Sequence, residues 1–426
     1  MIAPTLQATY LIETPLDPRA VAEVLAGEQS SGTFVRVAGE SDALRARSRA
    51  TVDAVEELEP LAAPSLPSSW LQRHHPQGPW RRARVTVSFP LANIGRNLPA
   101  LAATVAGNLY DLGESSGLRL QQLRIPAEFR ARFERPRQGV VGTRAATGVA
   151  EGPLVGTIIK PNVGLSAEET AALVAELCRA GIDFIKDDEC CADPQHAPVA
   201  ERIRAVMDAV RRHRDATGKR VMVAFHISDE HDAMLRHAEL VQREEGSCVM
   251  VSLNWVGLSS LQALRRHTNL AIHGHRNGYG MWSRHPALGI DFQPYAMLWR
   301  LAGVDHMHVH GLAGKFAQDD DEVVRSARDC LTPLADPADR ADVVMPAFSS
   351  GQWAGTLAPT LAAVPSADLM FMCGGGILAH PMGPAAGVTS VRQAWHAWQR
   401  GQALRDAAAA EPELRAALDT FGATPH

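Results

Sequence analysis

Lys186-Asp187-Asp188-Glu189 sets one ammonium and three carboxylates directly behind an apolar, strand-like run that includes Ile182, Phe184 and Ile185. Charges at the end of a buried strand are costly unless they are paired or hold a metal. Asp188 and Glu189 are oxygen ligands of the kind Mg2+ takes. An ammonium cannot coordinate a cation, so Lys186 is the odd member. If it loses its proton and captures CO2 it becomes a carbamate, a third oxygen ligand. Taken alone, the four residues also read as an ordinary buried ion-pair network.

The elements that position this cluster decide between the two readings. From about Gly152, short apolar strands alternate with amphipathic stretches. The strands are expected at 154–160, 183–188, 220–226, 248–254, 269–275, 304–310, 342–348 and 368–373. Between them lie helical segments such as 166–180, 200–216 and 319–331; Ser166 with Glu169 makes a capping box for the first. Eight strands, each followed by helical sequence, predict a (β/α)8 TIM barrel. A doubly wound sheet would require a Gly-rich phosphate loop after its first strand, and Lys160-Pro161-Asn162 is not one. Lys160, the acidic cluster, His226, Asn254, His275-Arg276, His308 and His310, Ser349-Ser350-Gly351 and Gly374-Gly375-Gly376 all fall at strand C-terminal ends. In a barrel these converge on one mouth, the place of barrel active sites. That convergence favours the metal reading, and an enzyme.

Residues 1–135 form a separate α+β unit in this reading, and 136–426 the catalytic barrel. Segments 6–12 and 84–90 alternate as half-buried antiparallel strands. Segments 18–25 and 94–106 read as helices, the first with Asp17 as N-cap and Pro18 at its first position. Segment 60–80, rich in Pro, Ser and His, reads as a surface loop. The Ala-rich tail after Gln393 reads as closing helices. The 426 residues carry a net charge of −5 with acids and bases interspersed, which supports neither nucleic acid nor an anionic membrane as partner. The first residues lack the basic and apolar regions of a signal peptide, and no apolar run reaches the roughly 20 residues of a membrane span. Cys178, Cys190, Cys191, Cys248, Cys330 and Cys373 show no zinc spacing, which points to free thiols in a reducing cytoplasm.

Seven stretches, in order along the whole chain, resemble the ribulose-bisphosphate carboxylase superfamily. Gly156-Thr-Ile-Ile-Lys-Pro161 looks like the first-strand motif with the catalytic lysine, and Gly181-Ile-Asp-Phe-Ile-Lys-Asp-Asp-Glu189 is similar to the carbamylated-lysine metal motif. His273-Gly-His-Arg276 matches the fifth-strand substrate motif. Asp305-His-Met-His308 followed by Gly314-Lys315 fits the sixth strand and its mobile lysine loop. Cys373-Gly-Gly-Gly376, running on to His380-Pro381 and Gly387, looks like the phosphate-binding eighth strand. In the smaller unit, expected to be ferredoxin-like, Glu28 with Ser30-Ser-Gly-Thr33, and Gly107-Asn108, fit the elements that complete a neighbouring subunit's site.

The resemblance implies one Mg2+ per site, held by the Lys186 carbamate, Asp188 and Glu189, and a homodimer that shares its active sites. Lys160 would be the general acid/base on the enediolate, and His275 would assist proton transfer or bind a hydroxyl. Arg276, His308 and Ser349 would bind one end of a phosphorylated, sugar-derived substrate. Gly351, Gly374, Gly375, Thr33 and Lys315 would bind the other end and the transferred or departing carboxylate. Asn108 would reach a metal-bound oxygen across the dimer interface.

The departures from the family pattern bear on the reaction. Asn162 stands where carboxylases carry a second lysine; Tyr279 replaces a histidine, Phe34 a tryptophan, and Ser350 interrupts a glycine pair. Lys315 continues as Phe-Ala-Gln rather than Leu-Glu-Gly. The enolising residues are kept while CO2-addition residues change, a pattern similar to the RuBisCO-like proteins. The retained Lys315 favours a decarboxylase of the kind that acts on 3-oxo-isoapionate 4-phosphate. The alternatives are an enolase or isomerase of a methylthio-sugar phosphate, a non-catalytic binding protein, and a true carboxylase.

Overall fold

The computed structural model describes residues 4–32 and 37–422. The chain divides into two units. One comprises Met1–Glu134 with Gly278–Ala302 and Leu334–Ala338; the other comprises Arg135–Asn277, Gly303–Pro333 and Asp339–His426.

The first unit is built on a five-stranded sheet. Its strands are β1 (Thr5–Thr14), β2 (Thr51–Leu61), β3 (Trp80–Pro90), β4 (Gly117–Arg124) and, from later in the chain, β10 (Leu288–Ile290), in the order β10-β4-β1-β3-β2. β1 alternates as its sequence predicts, with Leu6, Ala8, Tyr10 and Ile12 buried on one face. The helix Pro18–Glu28 packs Val21, Ala22 and Leu25 inward, and the Asp17 carboxylate accepts the Ala20 N–H at its start. The second expected helix starts later, at Leu98, where Asn97 caps it by accepting the Ala100 N–H. The stretch read as a loop, 60–80, contains the short helix Ser69–His74, capped by Ser68. This α+β unit also buries Tyr279, whose hydroxyl donates to the Ile290 carbonyl at 3.0 Å.

The second unit is the closed, eight-stranded parallel barrel. Its strands are β5 (Leu154–Ile158), β6 (Phe184–Lys186), β7 (Met222–His226), β8 (Cys248–Ser252), β9 (Ala271–His275), β11 (His306–His310), β12 (Met345–Ser349) and β13 (Met370–Met372), closing in the order β11-β12-β13-β5-β6-β7-β8-β9. The strands are buried on both faces, as parallel strands covered by helices must be. Ser166 caps the helix Ala167–Arg179 in a complete capping box.

Strand parity explains where the chemistry lands. Leu154, Ile158, Phe184, Met222, Ala224, Cys248, Met250, Ala271, Met345, Ala347, Met370 and Met372 form one core cluster. Side chains two apart on a strand share a face. Continuing each inward row toward the C-terminal end gives Lys160, Lys186 and Asp188, His226, Ser252, His275, Ser349 and Gly374. The apolar rows fill the barrel, and their last positions are polar.

Deep in the same unit, the fully buried Asp305 carboxylate accepts the Gln138 and Gly139 N–H groups at 2.6 and 2.9 Å, the Ile272 N–H at 2.8 Å and Arg265 Nη1 at 2.7 Å. Arg265 is also fully buried. Removing one partner of such a pair strands the other charge, so Arg265→Met is expected to cost about 3–5 kcal/mol of stability. Chemical denaturation should show a lower midpoint, with the activity of the folded protein retained.

Candidate active site

The barrel mouth gathers Lys160, Lys186, Asp188, Glu189 and His275. Lys160 Nζ donates to Asp188 Oδ2 at 2.6 Å and to Asn162 Oδ1 at 2.7 Å. Lys186, 1% exposed, donates from Nζ to the Asp187 carbonyl at 2.9 Å and lies 3.9 Å from Glu189 Oε2. Glu189 Oε2 is 3.6 Å from His275 Nε2. Burial drives the Lys186 ammonium below its ordinary range, with Glu189, Asp188 and Asp187 opposing the shift. His275 is held well below the usual imidazole range by burial and then by Lys186. The Asn277 N–H points to His275 Nδ1 at 3.3 Å, which makes Nδ1 the acceptor and leaves the proton on Nε2, facing Glu189.

Two anchors hold the acidic loop: Arg202, which the sequence does not single out, and His226, which falls at a strand end as expected. Arg202, on the helix Val199–Thr217, is 1% exposed; its Nε and Nη2 lie 3.3 and 3.2 Å from Asp187 Oδ2, and it donates to the carbonyls of Ala197, Cys191 and Ala192. Asp187 Oδ2 also accepts the His226 N–H at 2.9 Å. Asp187 therefore faces away from the ligand positions and braces them. On the other flank His226 Nε2 lies 2.8 Å from Ser228 Oγ and 3.1 Å from Ser252 Oγ, and Asn277 Nδ2 donates to Ser252 Oγ at 3.1 Å.

The residues expected to hold substrate separate into groups. Ser349 Oγ lies 2.8 Å from His308 Nε2, and the His308 ring is 4.4 Å from that of His275. Arg276 follows β9 directly and is buried. Ser350, the interrupting residue, adopts a left-handed φ of 72°, a conformation that costs a serine of order 1–3 kcal/mol, of the kind stored at functional sites. Gly351 follows with φ 83°. Gly374 stands beside Lys160, and nothing lies within 4 Å of where a Gly375 Cβ would project, leaving backbone open to an anion. Lys315 lies on an exposed loop, its Nζ 5.3 Å from the Phe316 ring. Glu28 ends the helix Pro18–Glu28 and Asn108 opens the turn Asn108–Asp111 in the smaller unit. Thr33 and Phe34 lie outside the described residues.

The donor set fits a divalent cation of the Mg2+ type. Asp188 already holds a cation, the Lys160 ammonium, at contact distance, and a carbamate on Lys186 would add a third anionic oxygen group to those of Asp188 and Glu189. Asp193, Asp229 and His237 also approach one another. Two of them are exposed and Asp193 accepts the Val199 N–H, so they read as a solvated polar cluster.

The order of these elements is matched along the chain by two family profiles. One, ribulose bisphosphate carboxylase large chain, catalytic domain, covers residues 139–421; the other, its N-terminal domain, covers residues 6–129. The chain belongs to the ribulose bisphosphate carboxylase large-chain family. Within that family it is similar to a crystal structure of a rubisco-like protein from Burkholderia fungorum, at 67% identity and a TM-score of 0.93 over 98% of this chain and 100% of that one. It is 48% identical over 411 residues to a Xanthobacter autotrophicus protein named 3-oxo-isoapionate-4-phosphate transcarboxylase/hydrolase, spanning 96% of this chain and 98% of the relative. A Rhizobium rhizogenes protein named 3-oxo-isoapionate-4-phosphate decarboxylase is 40% identical over 419 residues, 98% of both chains.

Membership gives the Asn162 departure a structural meaning. The side chain at that position accepts from Lys160 Nζ instead of repelling it. Among the described residues no helix is long and apolar enough to cross a membrane.

Proposed function

We propose that this RuBisCO-like protein cleaves the carboxylate from 3-oxo-isoapionate 4-phosphate. The observation that carries the reading is the Lys160 ammonium held between Asp188 and Asn162, beside the buried Lys186 and Glu189. The enolising set is complete, while the lysine specific to carboxylases is replaced by a neutral acceptor. The substrate is the one in the names of the relatives at 48% and 40% identity.

In a 3-oxo acid the bond to the carboxylate breaks as its electron pair moves into the ketone, giving an enediolate. Lys160, hydrogen-bonded to Asp188 and Asn162, delivers a proton to the resulting carbon; a positioned acid contributes about 10²–10⁴-fold. His275, with its proton on Nε2, donates to a substrate oxygen. Arg276, His308 and Ser349 bind one end of the substrate. Gly351, Gly374, Gly375, Thr33 and Lys315 receive the other end and the departing carboxylate. Asp188, Glu189 and a Lys186 carbamate would hold Mg2+, which would supply Lewis-acid polarisation of the substrate ketone. Glu28 and Asn108 serve the site of the other subunit in a homodimer.

The higher identity to the transcarboxylase/hydrolase favours a second reading, in which the carboxyl group is transferred and the product hydrolysed. Substrate labelled with ¹³C at the carboxylate separates them. Decarboxylation releases the label as CO2, whereas transfer and hydrolysis keep it in an acid product. A product of unchanged mass would overturn both and indicate an isomerase.

A further inference from the structure

The loop that carries Lys315 is fastened at both ends. At its root the buried Gln352 amide donates to the Leu312 carbonyl at 3.0 Å and fills the space that a side chain at Gly311 would need. Asp320 Oδ1 accepts the Ala313 N–H at 2.8 Å. Midway, the Phe316 ring sits 4.6 Å from the His310 ring. At the far end Gln318 Oε1 accepts from Arg276 Nη2 at 2.7 Å, its amide nitrogen lies 3.5 Å from Ser326 Oγ, and its side chain also engages His310. Gln318 therefore joins the residue following β9, the last residue of β11 and the helix Asp320–Leu331.

We propose that Gln318 is a positioning residue that orients the Arg276 guanidinium toward substrate and seats the Lys315 loop over the same mouth. The residue type matters. A glycine at 318 could fasten nothing. A carboxylate would reach Arg276 equally well but would neutralise it and compete with an anionic substrate. A neutral amide acceptor fixes the fork of the guanidinium and leaves its charge available. The two cations that meet the substrate, Arg276 and Lys315, are thereby set by one side chain. The inference rests on Arg276 binding substrate, as proposed above.

Steady-state kinetics and limited proteolysis test it on the intact protein. Gln318→Leu is expected to raise KM for 3-oxo-isoapionate 4-phosphate on the order of tenfold, the scale of one hydrogen bond to a charged group, with kcat little changed. In an Arg276→Met background the same change should add nothing, because the group it orients is gone. Without substrate, trypsin should cut after Lys315 several times faster in Gln318→Leu than in the unaltered protein. An unchanged cutting rate would overturn the seating of the loop whatever the substrate. An unchanged KM in Gln318→Leu, or effects that add to those of Arg276→Met, would overturn the orientation of Arg276. If Arg276→Met itself leaves KM unaltered, the substrate-binding role of Arg276 fails instead.

Discussion

Lys186→Ala is expected to lower turnover by about 10²–10³-fold or more, the scale seen when a preorganised charge at a reacting centre is removed, and to abolish any stimulation by bicarbonate and Mg2+. Carbamate formation needs a neutral amine: nitrogen bonds to the carbon of CO2 and a proton leaves to solvent. The surroundings of Lys186 suit that step. The residue is 1% exposed, burial lowers its pKa, and its Nζ meets the Asp187 carbonyl at 2.9 Å and the Met250 sulfur at 3.5 Å, with Glu189 Oε2 farther off at 3.9 Å. The depressed pKa sets the sign of the pH dependence. Raising the pH increases the neutral fraction and favours the carbamate; lowering it restores the ammonium and opposes metal binding. Alanine removes an amine whose desolvation is costly, so the variant should fold. Protein equilibrated with ¹³C-bicarbonate should show a carbamate resonance by NMR that is absent from Lys186→Ala and present in Lys160→Ala. Undiminished turnover in EDTA and CO2-free buffer would rule the assignment out.

The polar ends of the barrel strands were legible because a residue type betrays itself where a buried apolar row stops. Lys160, Asp188, His275 and Ser349 each continue an inward row of β5, β6, β9 or β12 by two residues, so period-two reading places them on the mouth. Arg202 was not legible. It sits in an amphipathic helix beside Arg204, Arg211, Arg212 and Arg214, where one more arginine reads as a solvated face. Only tertiary contact shows that it holds Asp187 and three backbone carbonyls. β2 was hidden for a related reason. Its sequence, TVDAVEELEPL, is acidic, ends near a proline and is at most half-buried at any position, because it is an edge strand of its sheet. β10 is only three residues long and pairs in parallel with β4, whose sequence neighbours lie far away in the chain. Register over that separation is carried by tertiary pairing, not by any local pattern.

The thermal midpoint is expected to fall steeply as the pH drops from about 6.5 toward 5. Burial pushes His226 down to about 3, His306 to about 4 and His310 to about 3. His273, His275 and His308 are also held well below the usual range, by burial first and then by neighbouring imidazoles or Lys186. In the unfolded chain these imidazoles titrate near 6.5. Between that value and the folded pKa the unfolded chain binds protons that the folded protein refuses, so stability falls with falling pH. At pH 5 each fully shifted histidine withdraws about 2 kcal/mol, and the first three together about 6 kcal/mol, comparable with the 5–15 kcal/mol that holds a typical protein together. The steepness should be traceable to single residues. His306 lies in the barrel interior with Nε2 2.7 Å from Thr143 Oγ1, and the neighbouring Asp305 only partly offsets its burial. His306→Gln can keep the contact with Thr143 but cannot titrate. It should shallow the acid slope by about 1.4 kcal/mol per pH unit, one proton's worth, while leaving activity near neutrality largely intact. Midpoints read by calorimetry at constant ionic strength would decide the matter. A level midpoint from pH 7.5 to 5 would mean that the interior histidines take up protons without unfolding the barrel.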